Sequence, residues 1–161
     1  SSLQGKGTLV RKEPGEINME KTEIQEGMRL FQDSMELLEA TIRTISVYTL
    51  KAAGGRKRER LAERLERLER EKTSYVCFEA YLSFIEEECP SGVIRECYSK
   101  LRELLAWGYP FAVIRARKRG LHEEFREVIK QMAAFLRQDK IEEFADTWER
   151  LIQHEEIQKR S

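Results

Sequence analysis

The chain has 161 residues, with 29 Lys+Arg balanced by 29 Asp+Glu, 36% charged and 40% hydrophobic residues, nine Gly and three Pro. That length suits one domain able to bury a sizeable core, and so much charge beside a normal apolar fraction points to a helix-rich fold rather than a disordered chain or a β-sandwich. A net charge of zero excludes a protein that is basic or acidic all over, so an electrostatic partner must be met by a local patch; no run approaches the ~20 apolar residues of a membrane span.

In chain order, Ser1 to Lys21 mix Gly, Lys, Glu and one Pro without a period, and read as a disordered, flexible N-terminal tail over residues 1–21. At Thr22 the pattern changes. Thr22 with Gln25 three residues on forms a capping box, and Ile24, Met28, Phe31, Met35, Leu38, Ile42 and Ile45 recur at steps of three and four, which keeps one face of a helix apolar. Gly54-Gly55 predicts its end, because Gly enters the left-handed cap without steric cost.

From Arg56 to Lys72 the apolar positions narrow to a seam of Leu61, Leu65 and Leu68 among charges, with Glu63–Arg67 and Glu66–Arg70 at favourable helical spacing. Fewer than three heptads do not specify a coiled coil alone. The seam therefore projects or pairs with the first helix, or else pairs with a second copy, and Leu61, Leu65 and Leu68 are the candidate self-association residues. The same helix is expected to run on into an apolar half, where Tyr75, Phe78, Leu82 and Ile85 make one stripe and Cys77, Tyr81 and Phe84 another. Two stripes imply contact on more than one side and place this half at the centre of the core. Glu86-Glu87-Glu88 at its C-terminus opposes the helix dipole, either as a solvated end or as a docking point for basic residues. Pro90 closes it.

Ser91 can cap the next helix, whose expected buried face is Ile94, Cys97, Tyr98, Leu101, Leu104 and Leu105. Trp107-Gly108-Tyr109-Pro110 predicts a stop, followed by a short helix from Phe111 to Arg119. Two further helices carry Phe125, Val128, Ile129, Met132, Phe135 and Leu136, and then Ile141, Phe144, Trp148, Leu151 and Ile152 behind a capping box Asp139…Glu142. No segment alternates with a strand's period of two. The expected fold is all-α: an antiparallel helical bundle of five to six helices, with residues 22–158 as a single domain.

Chemistry-bearing motifs are few. Cys77, Cys89 and Cys97 have no C-x-x-C spacing; an odd count without a signal-peptide pattern points to free thiols and an intracellular setting, cytoplasmic or nuclear. His122 and His154 belong to neither H-E-x-x-H nor the Glu-x-x-His of di-iron bundles, since Arg119 and Leu151 stand three residues before them. Gly5-Lys6-Gly7 is not a phosphate loop, and Gly54-Gly55 has no strand before it. No nucleophile elbow and no activated Cys–His pair is present. The expectation is a non-catalytic protein with no metal and no cofactor.

Between Glu103 and Glu123 there is no acidic residue, and the stretch holds Trp107, Tyr109, Phe111, Arg115, Arg117, Lys118 and Arg119. Cations interleaved with aromatics suit single-stranded nucleic acid, RNA or DNA, and equally an acidic or phosphorylated protein surface. Trp107, Tyr109, Arg115, Arg117, Lys118 and Arg119 are therefore the candidate partner-binding residues. A nucleic-acid site would need the second basic run, Arg56-Lys57-Arg58, to lie alongside, because counterion release recruits several cations on one face. The function expected is a protein–protein interaction, scaffold or regulatory helical domain that binds another protein or its own copy, with nucleic acid as the alternative and no membrane partner.

Overall fold

A computed structural model gives the fold, describing the backbone of residues 14–71, 74–119 and 122–160 and the side chains of residues 23–70, 76–108 and 126–153. It is an all-α antiparallel bundle of six helices among the described residues: α1 (Pro14–Ala53), α2 (Gly55–Glu71), α3 (Ser74–Glu88), α4 (Gly92–Arg119), α5 (His122–Arg137) and α6 (Ile141–Arg160). The main packing partners are α1 with α6 and α4, α2 with α5, and α3 with α4.

The helix expected to begin at Thr22 is already formed at Pro14, the first described residue. Of the tail expected over residues 1–21, residues 1–13 lie outside the described residues and 14–21 lie in the first turns of α1. The apolar stripe of α1 is buried from Phe31 through Met35, Leu38 and Ile42, whereas Ile24 is exposed. Gly54 ends the helix with a positive φ of 87°, and α2 begins at once, the Arg58 N–H donating to the Gly54 carbonyl at 3.1 Å. The Arg58 guanidinium reaches back to the Leu50 carbonyl at 2.7 Å and across to the Asp139 carboxylate at 3.0 Å. One side chain thus joins the α1–α2 turn to the α5–α6 turn, satisfying a C-terminal carbonyl of α1 with a cation, as the helix dipole favours.

The single long helix expected from Arg56 to Glu88 is described as α2 and α3, on either side of residues 72 and 73, which lie outside the described residues. As expected, α3 lies at the centre: Cys77, Tyr81, Leu82 and Ile85 are all buried. Tyr81 stacks on Trp148 of α6 with centroids 5.0 Å apart and meets Phe144 edge-on at 5.2 Å. Its buried hydroxyl donates to Ser46 of α1, so the polar end of the ring is satisfied inside the core. Burial pushes the Cys77 thiol up to about 11, in keeping with an inert, packed cysteine. Cys89 is buried and Cys97 exposed, and all three thiols are free.

Ser91 caps α4, its hydroxyl accepting from the Ile94 N–H at 3.2 Å. Tyr98, Leu101 and Leu105 are buried as expected, but Cys97 turns outward. The stop expected at Gly108–Pro110 does not occur, and α4 continues to Arg119. Proline forfeits one intrahelical hydrogen bond there, and tertiary packing of the helix overrides the local preference. The capping role expected of Asp139 is also overturned. Asp139 has a φ of 59°, and the Lys140 N–H bonds the Phe135 carbonyl at 2.9 Å while the Asp139 N–H bonds that of Leu136 at 3.4 Å. This is a Schellman C-cap of α5 with Asp where Gly is usual, and the carboxylate is given to Arg58 rather than to α6.

Ion pairs between helices complete the bundle. Arg102 of α4 pairs with Glu86, and Lys57 of α2 with Glu88 at 2.7 Å, so the acidic end of α3 is a docking point for basic residues of the same chain. Glu66 bonds Arg137 of α5 at 2.5 and 2.8 Å rather than the expected Arg70, and Arg137 also reaches Glu59 at 3.0 Å. The Arg137 hydrogen bonds hold the Glu66 carboxyl below its ordinary value. A depressed carboxyl pKa stabilises the fold above the unfolded value of ~4.3 and loses that contribution as pH falls through the lower folded value. Arg137→Gln should therefore lower stability by about 0.5–1 kcal/mol near neutrality, allowing for solvent screening. Denaturant melts at stepped pH should show the gap to the wild type closing only below the ordinary carboxylate range.

Candidate interaction surface

The leucine seam is not available to a partner. Leu61 is 4% and Leu65 0% exposed, and Leu68 packs half-buried against the core. Because α2 lies chiefly on α5, the seam is covered within the chain, where Ile129, Met132 and Leu136 supply an apolar stripe. Arg137–Glu59, Arg137–Glu66 and Arg126–Glu69 pairs flank the contact as e and g residues flank a coiled coil. The self-association expected at Leu61, Leu65 and Leu68 is corrected accordingly, and so is the first helix as the seam's alternative partner: a charged-edged leucine stripe fits any antiparallel neighbour, and the chain provides α5.

Of the candidate partner-binding residues, the side chains of Tyr109, Arg115, Arg117, Lys118 and Arg119 lie outside the described residues, while their backbone forms the last turns of α4. Trp107 is described and 44% exposed. The second basic run does not join them. Lys57 is paired with Glu88, and Arg58 is held on Leu50 and Asp139. Phe31 of α1 sits on Gly108, so the helix from Phe31 to Leu50, about 28 Å at 1.5 Å per residue, separates the two runs.

The α1–α4 contact is unusually close at two glycines. A methyl group at Gly27 would fall inside the Trp107 ring, and one at Gly108 would fall inside the Phe31 ring. Each aromatic therefore lies on bare backbone of the opposite helix, the arrangement that glycine alone permits. Further along, the Tyr98 hydroxyl lies 2.7 Å from Thr41 Oγ1, which itself donates to the Leu37 carbonyl at 2.8 Å. Burial raises the Tyr98 hydroxyl pKa, so it remains a neutral donor.

These contacts fix the register of an outward face. Every exposed large hydrophobic among the described residues lies on α1 or α4: Ile24, Leu30, Leu37 and Tyr48 on the first, Val93 and Trp107 on the second. Leu30, Leu37 and Tyr48 follow at steps of seven and eleven, close to whole numbers of turns, and so form one line. On α4, Val93, Cys97, Leu104 and Trp107 form another, with Val93 78% exposed, Leu104 half-buried and exposed Lys100 standing on the same line seven residues from both Val93 and Trp107. Both lines flank the α1–α4 contact on the side away from buried Leu38, Ile42 and Leu105. The Thr41–Tyr98 and Phe31–Gly108 contacts set Tyr48 level with Val93, Leu37 with Leu104 and Leu30 with Trp107, each to within about a turn. The result is a two-helix apolar strip. Leu30, Leu37, Tyr48 and Val93 were not among the sequence candidates; the signal was present as a second apolar line on α1, overshadowed by the longer stripe that fills the core.

No helix among the described residues is long and apolar enough to cross a membrane, and no group of three or more His, Cys, Asp or Glu among them could hold a metal. No family model, curated protein or solved structure matches the chain.

The two glycine seats differ in how far their neighbours can yield. Trp107 offers the far edge of a half-exposed ring to Gly27, whereas Phe31 presents its Cβ and ring base to Gly108. Gly108→Ala should destabilise by about 1–3 kcal/mol through overpacking, despite the ~1 kcal/mol that alanine gains in helix propensity. Gly27→Ala should be nearly neutral, and parallel thermal melts of the two variants compare them.

Proposed function

We propose that the chain is a non-catalytic protein–protein interaction module whose contact surface is the outer face of α1 and α4. One observation carries this reading: the exposed large hydrophobics of the described residues are confined to these two helices, and all but Ile24 fall on lines that border one strip. An exposed apolar patch of this kind is a usual mark of an interaction site. Two parallel ridges with a shallow groove between them suit an apolar helical face, the helix-in-groove mode of recognition. Burying the exposed part of such side chains contributes of the order of 1 kcal/mol each, enough in sum to offset part of the entropy lost on association.

Less supports the nucleic-acid alternative. Its cations would be Arg115, Arg117, Lys118 and Arg119, without the Arg56–Arg58 run, which is at the other end of the bundle and two of whose members are held in contacts with the protein itself.

A photo-crosslinking amino acid in place of Leu37, compared with one in place of exposed Gln131 on α5, tests the surface. The probe at position 37 should form a discrete protein adduct that Tyr48→Glu removes, and the probe at position 131 should form none. No adduct at position 37, or equal labelling at both positions, would overturn the assignment.

A further inference from the structure

We infer that the outer face of α2, a surface separate from the α1–α4 strip, is a binding ridge for the phosphate backbone of a nucleic-acid duplex. Arg56, Arg60, Arg64, Arg67 and Arg70 follow at steps of four, four, three and three, and all five are exposed. That spacing gathers them on the side of the helix opposite buried Leu65. The acids of α2 are disposed differently. Glu59, Glu66 and Glu69 are held by Arg137 and Arg126 of α5. Among the described acids of α2 only Glu63 is exposed, and it stands within the ridge. Arg70 lies within electrostatic reach of Glu66, but none of Arg56, Arg60, Arg64 and Arg67 is joined to a carboxylate among the described residues. Glu71 and Lys72, next in sequence, cancel in charge. On one flank, Lys130 lies on the α5 line of Arg126 and Arg137 and widens the basic surface, with Glu127 3.8 Å away. On the other, Lys57 takes Glu88 and Arg102 takes Glu86, which leaves exposed Glu87 at the margin.

The ridge works against its own helix. Like charges three and four residues apart destabilise it, and Arg56 and Lys57 occupy a first turn that has no acid, where the dipole disfavours cations. A bound polyanion relieves both. The composition of the face selects which one. A protein interface buries an apolar centre, and no exposed large hydrophobic among the described residues lies on α2. For the same reason α2 has nothing to insert into a bilayer. Single strands are held by aromatic stacking as well as by charge, and α2 contains no aromatic residue. A duplex keeps its bases stacked inside and turns its phosphates outward. Guanidinium groups grip phosphate oxygens in pairs, and counterion release supplies affinity without apolar burial. From Arg56 to Arg70 the ridge runs about 21 Å, the span of about six phosphates of one strand. This is not the basic-aromatic corner of α4. It uses neither Trp107 nor residues 109–119, and of the 56–58 run it needs only Arg56.

Fluorescence anisotropy with a labelled duplex a few turns long, titrated at stepped salt concentrations, tests the ridge. The wild type should bind at low salt, with the logarithm of the affinity falling against that of the salt concentration at a slope of about −4. Replacing Arg60, Arg64 and Arg67 together by Gln should flatten the slope by about 3 and weaken low-salt binding by about ten-fold or more. The thermal melt of that variant should not fall, because like-charge neighbours are removed. Glu63→Gln should tighten binding several-fold, a gain that no folding defect produces. DNA and RNA duplexes form separate arms, and tight binding of either supports the ridge and identifies the source of the phosphates. Absence of duplex binding at low salt, a slope that the triple variant leaves unchanged, or a Glu63→Gln chain that binds no tighter would overturn the proposal. Equal binding of the unpaired strand, of a polyglutamate peptide or of phosphatidylserine vesicles would overturn it too, since the duplex would then not be the occupant the face selects.

Discussion

The placement of Phe31 on the bare backbone of Gly108 is the contact on which the outer architecture turns. With no side chain at Gly108, α1 and α4 approach closely, as their two lines of exposed apolar residues must do to form one strip. The same packing accompanies a local anomaly. A helix carrying Gly and Pro two residues apart should break there, yet α4 runs on to Arg119. The glycine that weakens the helix is the residue that lets it dock. Trp107 repeats the pattern in reverse, resting on Gly27 with part of its ring still facing outward.

Several charges of this chain tie helices together. Arg137, Arg102, Lys57, Arg126 and Arg43 each reach a carboxylate on another helix. Single exposed pairs contribute little, but here they sit at the margins of apolar contacts, where they reject alternative registers more than they add stability. Arg58 goes further. Held on a carbonyl of α1 and a carboxylate of the α5–α6 turn, it makes three helix ends mutually dependent. Part of the balance of 29 positive and 29 negative residues is thus taken up by pairing from helix to helix.

Much of the fold was legible because periodicity reports burial directly. The stripe through Phe31, Leu38 and Ile42, the Gly54 turn, the Ser91 cap and the central position of α3 all follow from side-chain spacing or from a single backbone preference. The errors share one cause. Thr22 and Asp139 each satisfy a capping pattern, and Gly108–Pro110 satisfies a breaking pattern, but a pattern states only what the backbone can do locally. The helix was already formed before Thr22, Phe31 occupied the space at Gly108, and Arg58 engaged the Asp139 carboxylate.

The candidate surface was less legible for a related reason. An apolar stripe in sequence marks a face that is covered without naming what covers it. Leu61–Leu65–Leu68 and Leu30–Leu37–Tyr48 are both short apolar lines on charged helices; only the assembled bundle seats α5 on the first and leaves the second outside. By itself, the sequence determined the helical class, most of the turns and the composition of the core, because those depend on residues within a few positions of one another. Tertiary structure alone decided which stripes were interior, which ion pairs formed and which face stayed open, because each of those depends on residues brought together from distant parts of the chain.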